Sequence, residues 1–190
     1  MSIDLTSELT PLNIAVLTVS DTRGIDEDTS GQFLEDSVIE AGHRLVSRRI
    51  IPDDIYLVRA LMSQWIADQQ VHAVIITGGT GFNERDSTPE AVGPLLDKTI
   101  EGFGEEFRRL SASEIGTSTI QSRAFGGMAN NTVIFCLPGS TGACRTGWNG
   151  ILKAQLDSRH GPCNFSALVL RKPERAFSRT QEVIGYRAER

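Results

Sequence analysis

Apolar and polar positions fall into blocks along the chain, and the period changes from block to block. Asn13 to Val19 is almost wholly apolar, the pattern of a strand covered on both faces. A polar turn, Ser20-Asp21-Thr22-Arg23-Gly24, ends it. Asp28-Thr29-Ser30-Gly31 then offers cap-type residues to a helix carrying Phe33, Leu34, Val38 and Ile39, and Gly42 stands where a C-terminal glycine belongs. Arg44 to Ile51 reads as a second strand. Pro52-Asp53-Asp54 opens a helix with Ile55, Val58, Met62 and Trp65 at helical spacing. Val71 to Thr77 reads as a third buried strand that runs into a glycine-rich loop.

Further along, helices are predicted over roughly Pro89 to Asp97, with Ser87 or Thr88 as cap, and over roughly Glu105 to Ser111. Gly126-Gly127 to Asn130-Asn131 reads as a turn into a fourth strand, Thr132 to Leu137. Pro138-Gly139-Ser140-Thr141-Gly142 breaks that strand and opens a long helix to about Leu156. This alternation predicts an α/β fold of three layers, a mainly parallel central sheet with helices on both faces. Residues 1–170 are expected to form one domain. Residues 171–190, rich in arginine and weakly periodic, are expected to be a tail, either flexible or docked on a neighbouring subunit.

Three strands end in small or polar residues: Ser20-Asp21, Thr77 to Gly81, and Pro138-Gly139-Ser140. In a parallel sheet such ends share one edge, where ligands of α/β proteins collect. Gly78, Gly79 and Gly81 allow close backbone approach to an anion and positive φ. Two common phosphate motifs are absent. Glu84 stands where G-x-G-x-x-G needs its last glycine, and no G-x-x-x-x-G-K-[ST] occurs. Asp86, five residues past Gly81, is a carboxylate beside a phosphate cradle; without a cation it would be repelled, so it implies Mg²⁺. Asp53 is either a helix cap or a second acid of the site; Asp54 can take the cap and release it. Ser140 and Thr141 start a helix and suit an anion or a simple cap equally. Glu101-Gly102-Phe103-Gly104-Glu105 is either a pocket-lining loop or an irregular helix start. His43 and His72 read as ordinary residues near strand edges.

Charge narrows the ligand. Nineteen basic against 24 acidic side chains leave −5, which argues against broad nucleic-acid contact but not against a nucleotide. No apolar run reaches the roughly 20 residues of a membrane span. The N-terminus lacks the basic and apolar regions of a secretory signal, so a cytoplasmic protein is expected. Cys136, Cys144 and Cys163 form no C-x-x-C pair and read as reduced thiols.

In this order, several segments resemble the molybdenum cofactor biosynthesis family that contains MoaB, MogA and the gephyrin G-domain. They are Leu17 to Asp21, Thr77 to Gly81, Asp86 with Thr88-Pro89-Glu90-Ala91, Glu101 to Glu105, Gly116-Thr117 through Ser122-Arg123-Ala124, and Leu137 to Ser140. The match covers about Leu12 to Phe165. Pro138 to Thr141, Ala143 to Thr146 and Pro162 to Phe165 look more like the MoaB branch.

The resemblance implies adenylylation of molybdopterin by Mg-ATP, giving adenylyl-molybdopterin and pyrophosphate. Asp53 and Asp86 would be catalytic, with Asp86 at the Mg²⁺. Thr77, Gly78, Gly79, Thr80 and Gly81 would hold phosphates, and Ser20, Ser140, Thr88 and Glu105 would line the molybdopterin side. Some MoaB-type members lack an acid at the Asp53 position; here it is present, as in the active branch. The alternative is a MoaB-type assembly protein that binds molybdopterin or nucleotide with little or no transfer. The resemblance also implies a homotrimer or homohexamer.

Overall fold

The structure, a computed structural model, describes residues 7–170; the expected tail, 171–190, lies outside the described residues. Strands β1 (Asn13–Val19), β2 (Arg44–Ile51), β3 (Ala73–Thr77), β4 (Lys98–Thr99), β5 (Phe125–Ala129) and β6 (Thr132–Leu137) form one six-stranded sheet. Its order is β2-β1-β3-β6-β5-β4. The pairs β1–β2, β1–β3 and β3–β6 are parallel; β5–β6 and β4–β5 are antiparallel. The helices are α1 (Thr29–Glu40), α2 (Ile55–Ala67), α3 (Thr88–Val92), α4 (Glu101–Ile115), α5 (Thr141–Gly147), α6 (Lys153–Gln155) and α7 (Ser166–Val169). The expected mainly parallel sheet with helices on both faces is present.

Period-two alternation in the central strands divides the core. Ile14 and Val16 of β1, Ala73 and Ile75 of β3, and Val133, Phe135 and Leu137 of β6 face α1, α4 and α5. Ala15, Leu17 and Val19, Val74 and Ile76, and Ile134 and Cys136 face α2 and α3. Both faces of β1, β3 and β6 are therefore dry, which is why these strands read as unbroken apolar runs. Phe135 anchors the first layer, its ring 4.8 Å from that of Phe103 and 5.7 Å from that of Phe165; burying a side chain of this size stabilises by about 1.5–3 kcal/mol.

Four local expectations change. Gly126-Gly127 is not a turn but lies within β5, and the turn is Asn130-Asn131, both at positive φ (46° and 66°). Glycine is needed in β5 because a Cβ on Gly127 would stand 2.7 Å from the Lys98 carbonyl. The helix expected over Pro89 to Asp97 is shorter: α3 ends at Val92, and Gly93–Leu95 tightens into a 3₁₀ turn. Helix α4 is longer than Glu105 to Ser111 and absorbs Glu101 to Glu105 as its first turn. The long helix after β6 is interrupted by a π segment, Trp148–Leu152, between α5 and α6.

Candidate functional site

Because β1, β3 and β6 are parallel neighbours, their C-terminal ends meet at one edge, as the strand endings implied. Gly78 is locked against both neighbours. Its N–H donates to the Leu137 carbonyl at 3.0 Å, Gly139 packs against its Cα, and its φ of 103° leaves no room for a Cβ beside the Val19 carbonyl. Gly79, at φ 63°, continues the turn in a region that favours glycine. The loop is further pinned from beneath. Thr88 donates its N–H to the Gly79 carbonyl and its hydroxyl to that of Gly78, both at 2.9 Å. Thr77 donates its hydroxyl to the Pro138 carbonyl at 3.0 Å.

The two aspartates flank this loop. Asp54 caps α2, accepting from the N–H groups of Tyr56 and Leu57, and so leaves Asp53 to the site. Asp53 Oδ1 accepts from the Ser87 N–H at 3.1 Å and from the Ser87 hydroxyl, while its Oδ2 lies over the Cα of Gly79. Asp86 lies beside Gly81, where a Cβ would be 2.6 Å from Oδ2, and that oxygen accepts from the Asn83 N–H at 2.8 Å. Each acid is thus aligned on a loop glycine by a donor of the segment Asn83 to Ser87.

The other candidates are distributed around the rim. Thr77, Thr80 and Thr88 are buried; Thr77 and Thr88 spend their hydroxyls on loop carbonyls and so shape the cradle from inside. Ser20 Oγ accepts from the N–H groups of Thr22 and Arg23. Ser140 caps α5, accepting from the Ala143 N–H at 3.2 Å. The carbonyl of Gly139 receives the Arg23 guanidinium and the Ser30 hydroxyl, each at 2.8 Å. Glu105 is exposed on α4, next to Gly104, which approaches the Ala124 carbonyl; no described contact joins Glu105 to the glycine loop.

Three side chains around the loop were not among the sequence candidates for the site. Ser87 was read only as a helix cap, yet its hydroxyl serves Asp53. Arg123 donates to the carbonyls of Gly81 and Asp86, both at 2.8 Å, pairs with Glu90, and stacks over Phe82. Arg85 reaches Asp21 at 2.9 Å. Their only signal in the sequence is proximity to the glycine loop or membership of the segment Ser122-Arg123-Ala124. Among the described residues, no group of three or more His, Cys, Asp or Glu is clustered to hold a metal ion.

Comparison with known proteins identifies the family. The model of a family described as a probable molybdopterin binding domain matches residues 15–158. Molybdenum cofactor biosynthesis protein B of Escherichia coli strain K12 is 55% identical over 161 residues, 85% of this chain and 95% of that relative. Its namesake in Staphylococcus epidermidis is 43% identical over 150 residues, 77% of this chain and 85% of the relative. A crystal structure of a molybdenum cofactor biosynthesis protein B aligns with TM-score 0.76 at 40% identity, covering 79% of this chain and 94% of that one. The tungsten cofactor synthesizing protein MoaB of Pyrococcus furiosus aligns with TM-score 0.67 at 36% identity, covering 75% and 91%. The chain belongs to the molybdenum cofactor biosynthesis family, in its MoaB group.

Proposed function

We propose that this protein binds molybdopterin and adenylylates it with Mg-ATP. The terminal phosphate oxygen of molybdopterin attacks the α-phosphorus of ATP; a new P–O bond forms, the α–β bridging P–O bond breaks, and pyrophosphate leaves with the electron pair. Such chemistry depends on alignment and charge stabilisation more than on a covalent enzyme intermediate. The observation that supports the reading best is the pairing of acids with glycines: Asp53 over Gly79 and Asp86 beside Gly81. The backbone from Thr77 to Gly81 would cradle phosphate, and Ser20, Ser140, Thr88 and Glu105 would border the molybdopterin side. Asp86, with Asp53 nearby, offers hard oxygen donors but too few for a closed metal cage, which suits Mg²⁺ completing its shell with phosphate oxygens and water. Bound there, Mg²⁺ would neutralise charge developing on the phosphates. Incubation with molybdopterin, ATP and Mg²⁺ should yield adenylyl-molybdopterin and pyrophosphate; absence of both would overturn the reading.

A second reading has its own support. Asp53 Oδ1 and Asp86 Oδ2 already accept from donors of the segment Asn83 to Ser87, as befits a protein that binds molybdopterin or nucleotide in an assembly without transferring AMP. Pyrophosphate release in a single turnover would exclude it. Self-association as a homotrimer or homohexamer is part of either reading, supported by the exposed apolar side chains Phe82, Ile115 and Ile120; light scattering that gave a monomer would refute it. No helix among the described residues is long and apolar enough to cross a membrane, in keeping with action in the cytoplasm.

A further inference from the structure

The loops at the strand ends carry three guanidinium groups, and two are committed to holding the backbone. Arg123 serves the carbonyls of Gly81 and Asp86 together with Glu90. Arg23 serves Gly139 and Ser30. Arg85 differs from both. Its side chain is 68% exposed, and its Nη2 meets only Asp21 Oδ1, at 2.9 Å, and the Asp53 carbonyl, at a long 3.4 Å. Asp21 Oδ1 accepts the Asp53 N–H at 3.0 Å at the same time. One carboxylate oxygen at the end of β1 therefore gathers the end of β2 and the loop after β3.

An exposed ion pair of this kind is held weakly. A guanidinium fits phosphate oxygens better than a single carboxylate oxygen, because its planar fork offers two parallel donors. The neighbourhood also needs positive charge: Asp21, Asp53, Asp86 and Glu90 all lie around the loop, and a polyphosphate would add more negative charge to it. Arg85 is the loop cation whose contacts can be exchanged without dismantling the cradle.

We propose that Arg85 is a phosphate-binding residue of the nucleotide site, held by Asp21 in this structure and exchanged from Asp21 to a phosphate oxygen when nucleotide binds. The proposal rests on reading Thr77 to Gly81 as the cradle for ATP. It makes Asp21 a competitor, so the two side chains affect nucleotide affinity with opposite signs. Asparagine at position 21 keeps an oxygen for the Asp53 N–H but loses the charge that holds Arg85.

The test is a double-mutant cycle on the full chain, read by calorimetry with Mg²⁺ and α,β-methylene-ATP. Arg85→Gln should weaken binding about tenfold, the worth of one charge-assisted contact, and Arg85→Lys should recover only part of the loss. Asp21→Asn should tighten binding severalfold, and that gain should vanish when it is combined with Arg85→Gln. Wild-type protein that fails to bind the analogue overturns the nucleotide reading itself. Binding by wild type with equal binding by Arg85→Gln overturns only the role of Arg85. An equal gain from Asp21→Asn in both backgrounds shows simple charge removal and overturns the exchange.

Discussion

The carboxylate of Asp53 is packed against the Cα of Gly79: a Cβ at that position would stand 2.5 Å from Asp53 Oδ2 and would also collide with the Thr88 hydroxyl. Gly79→Ala must therefore push Asp53 away while holding a positive φ of 63°. The left-handed backbone costs about 1–3 kcal/mol for a residue with a side chain. We expect a lower urea midpoint and loss of nucleotide affinity together. Wild-type affinity in this variant would show that the Asp53–Gly79 approach has no part in binding.

If Asp86 acts only in the transition state, Asp86→Asn should leave the fold intact, because asparagine still accepts from the Asn83 N–H, and turnover should drop roughly 10²-fold, about 2.7 kcal/mol. Asp53→Asn should lower turnover as well, and Asp53→Ala more so, since it strands the Ser87 N–H and hydroxyl. Initial rates of pyrophosphate release measure both. Unchanged rates in Asp86→Asn would remove Asp86 from the chemistry.

Two imidazoles make stability depend on pH at the other end of the sheet. His43 Nδ1 accepts the Leu12 N–H at 3.2 Å, and His72 Nδ1 accepts the neighbouring Asn13 N–H at 3.0 Å. Burial pulls both below the ordinary histidine value of 6.5; around His43, Asp157 acts in the opposite sense and Arg159 in the same one. The unfolded chain therefore takes up protons first as pH falls. The contribution is complete above the unfolded value of about 6.5 and declines as pH drops below it toward the folded values. Denaturation midpoints should fall between about pH 7 and 5, and a His43→Asn/His72→Asn double variant, which keeps an acceptor but no titrating ring, should flatten that slope.

Thiol labelling gives an independent check on the core. Burial lifts the Cys144 thiol to about 11, against a weaker opposing hydrogen bond with Thr77, and raises that of Cys136 as well. Cys163 is exposed. Iodoacetamide near pH 8 should label Cys163 in the native protein and reach Cys136 and Cys144 only after denaturation; mass spectrometry of peptides distinguishes the sites. Rapid labelling of native Cys144 would contradict the packing of α5 on β6.

The bounds of β1 and β2 were legible residue by residue, because burial on two faces forces an apolar run in β1 that a polar turn closes, and Pro52 ends β2. The release of Asp53 was legible too, since two acids in succession before α2 leave one beyond what the cap requires. What escaped the sequence depends on distant partners. Gly126 and Gly127 resemble a turn locally, yet they pair with Phe135 and Ile134 of β6, where the Phe135 ring and the Lys98 carbonyl leave little room for a Cβ. Gly102 and Gly104 left a loop and a helix start both open; the segment is the helix start, with Gly104 of α4 approaching the Ala124 carbonyl. Arg85 and Arg123 lie on either side of a gap of 38 positions, and no periodicity announces that both close on one loop.

The order of strand pairing has a kinetic consequence. Phe125–Ala129 and Thr132–Leu137 join through a tight turn, but Ile14 must find Ala73, and Ala73 must find Val133. Closure of such distant pairings is the slow part of folding, whereas a hairpin forms in microseconds. The glycine loop and the Pro138-Gly139 segment hang from the ends of those late-paired strands, and Asp53, after β2, meets the loop only when they have joined. On the proposed nucleotide reading, affinity for the analogue should therefore return during refolding only after most of the helix signal has recovered, a compact and largely ordered stage preceding a competent site.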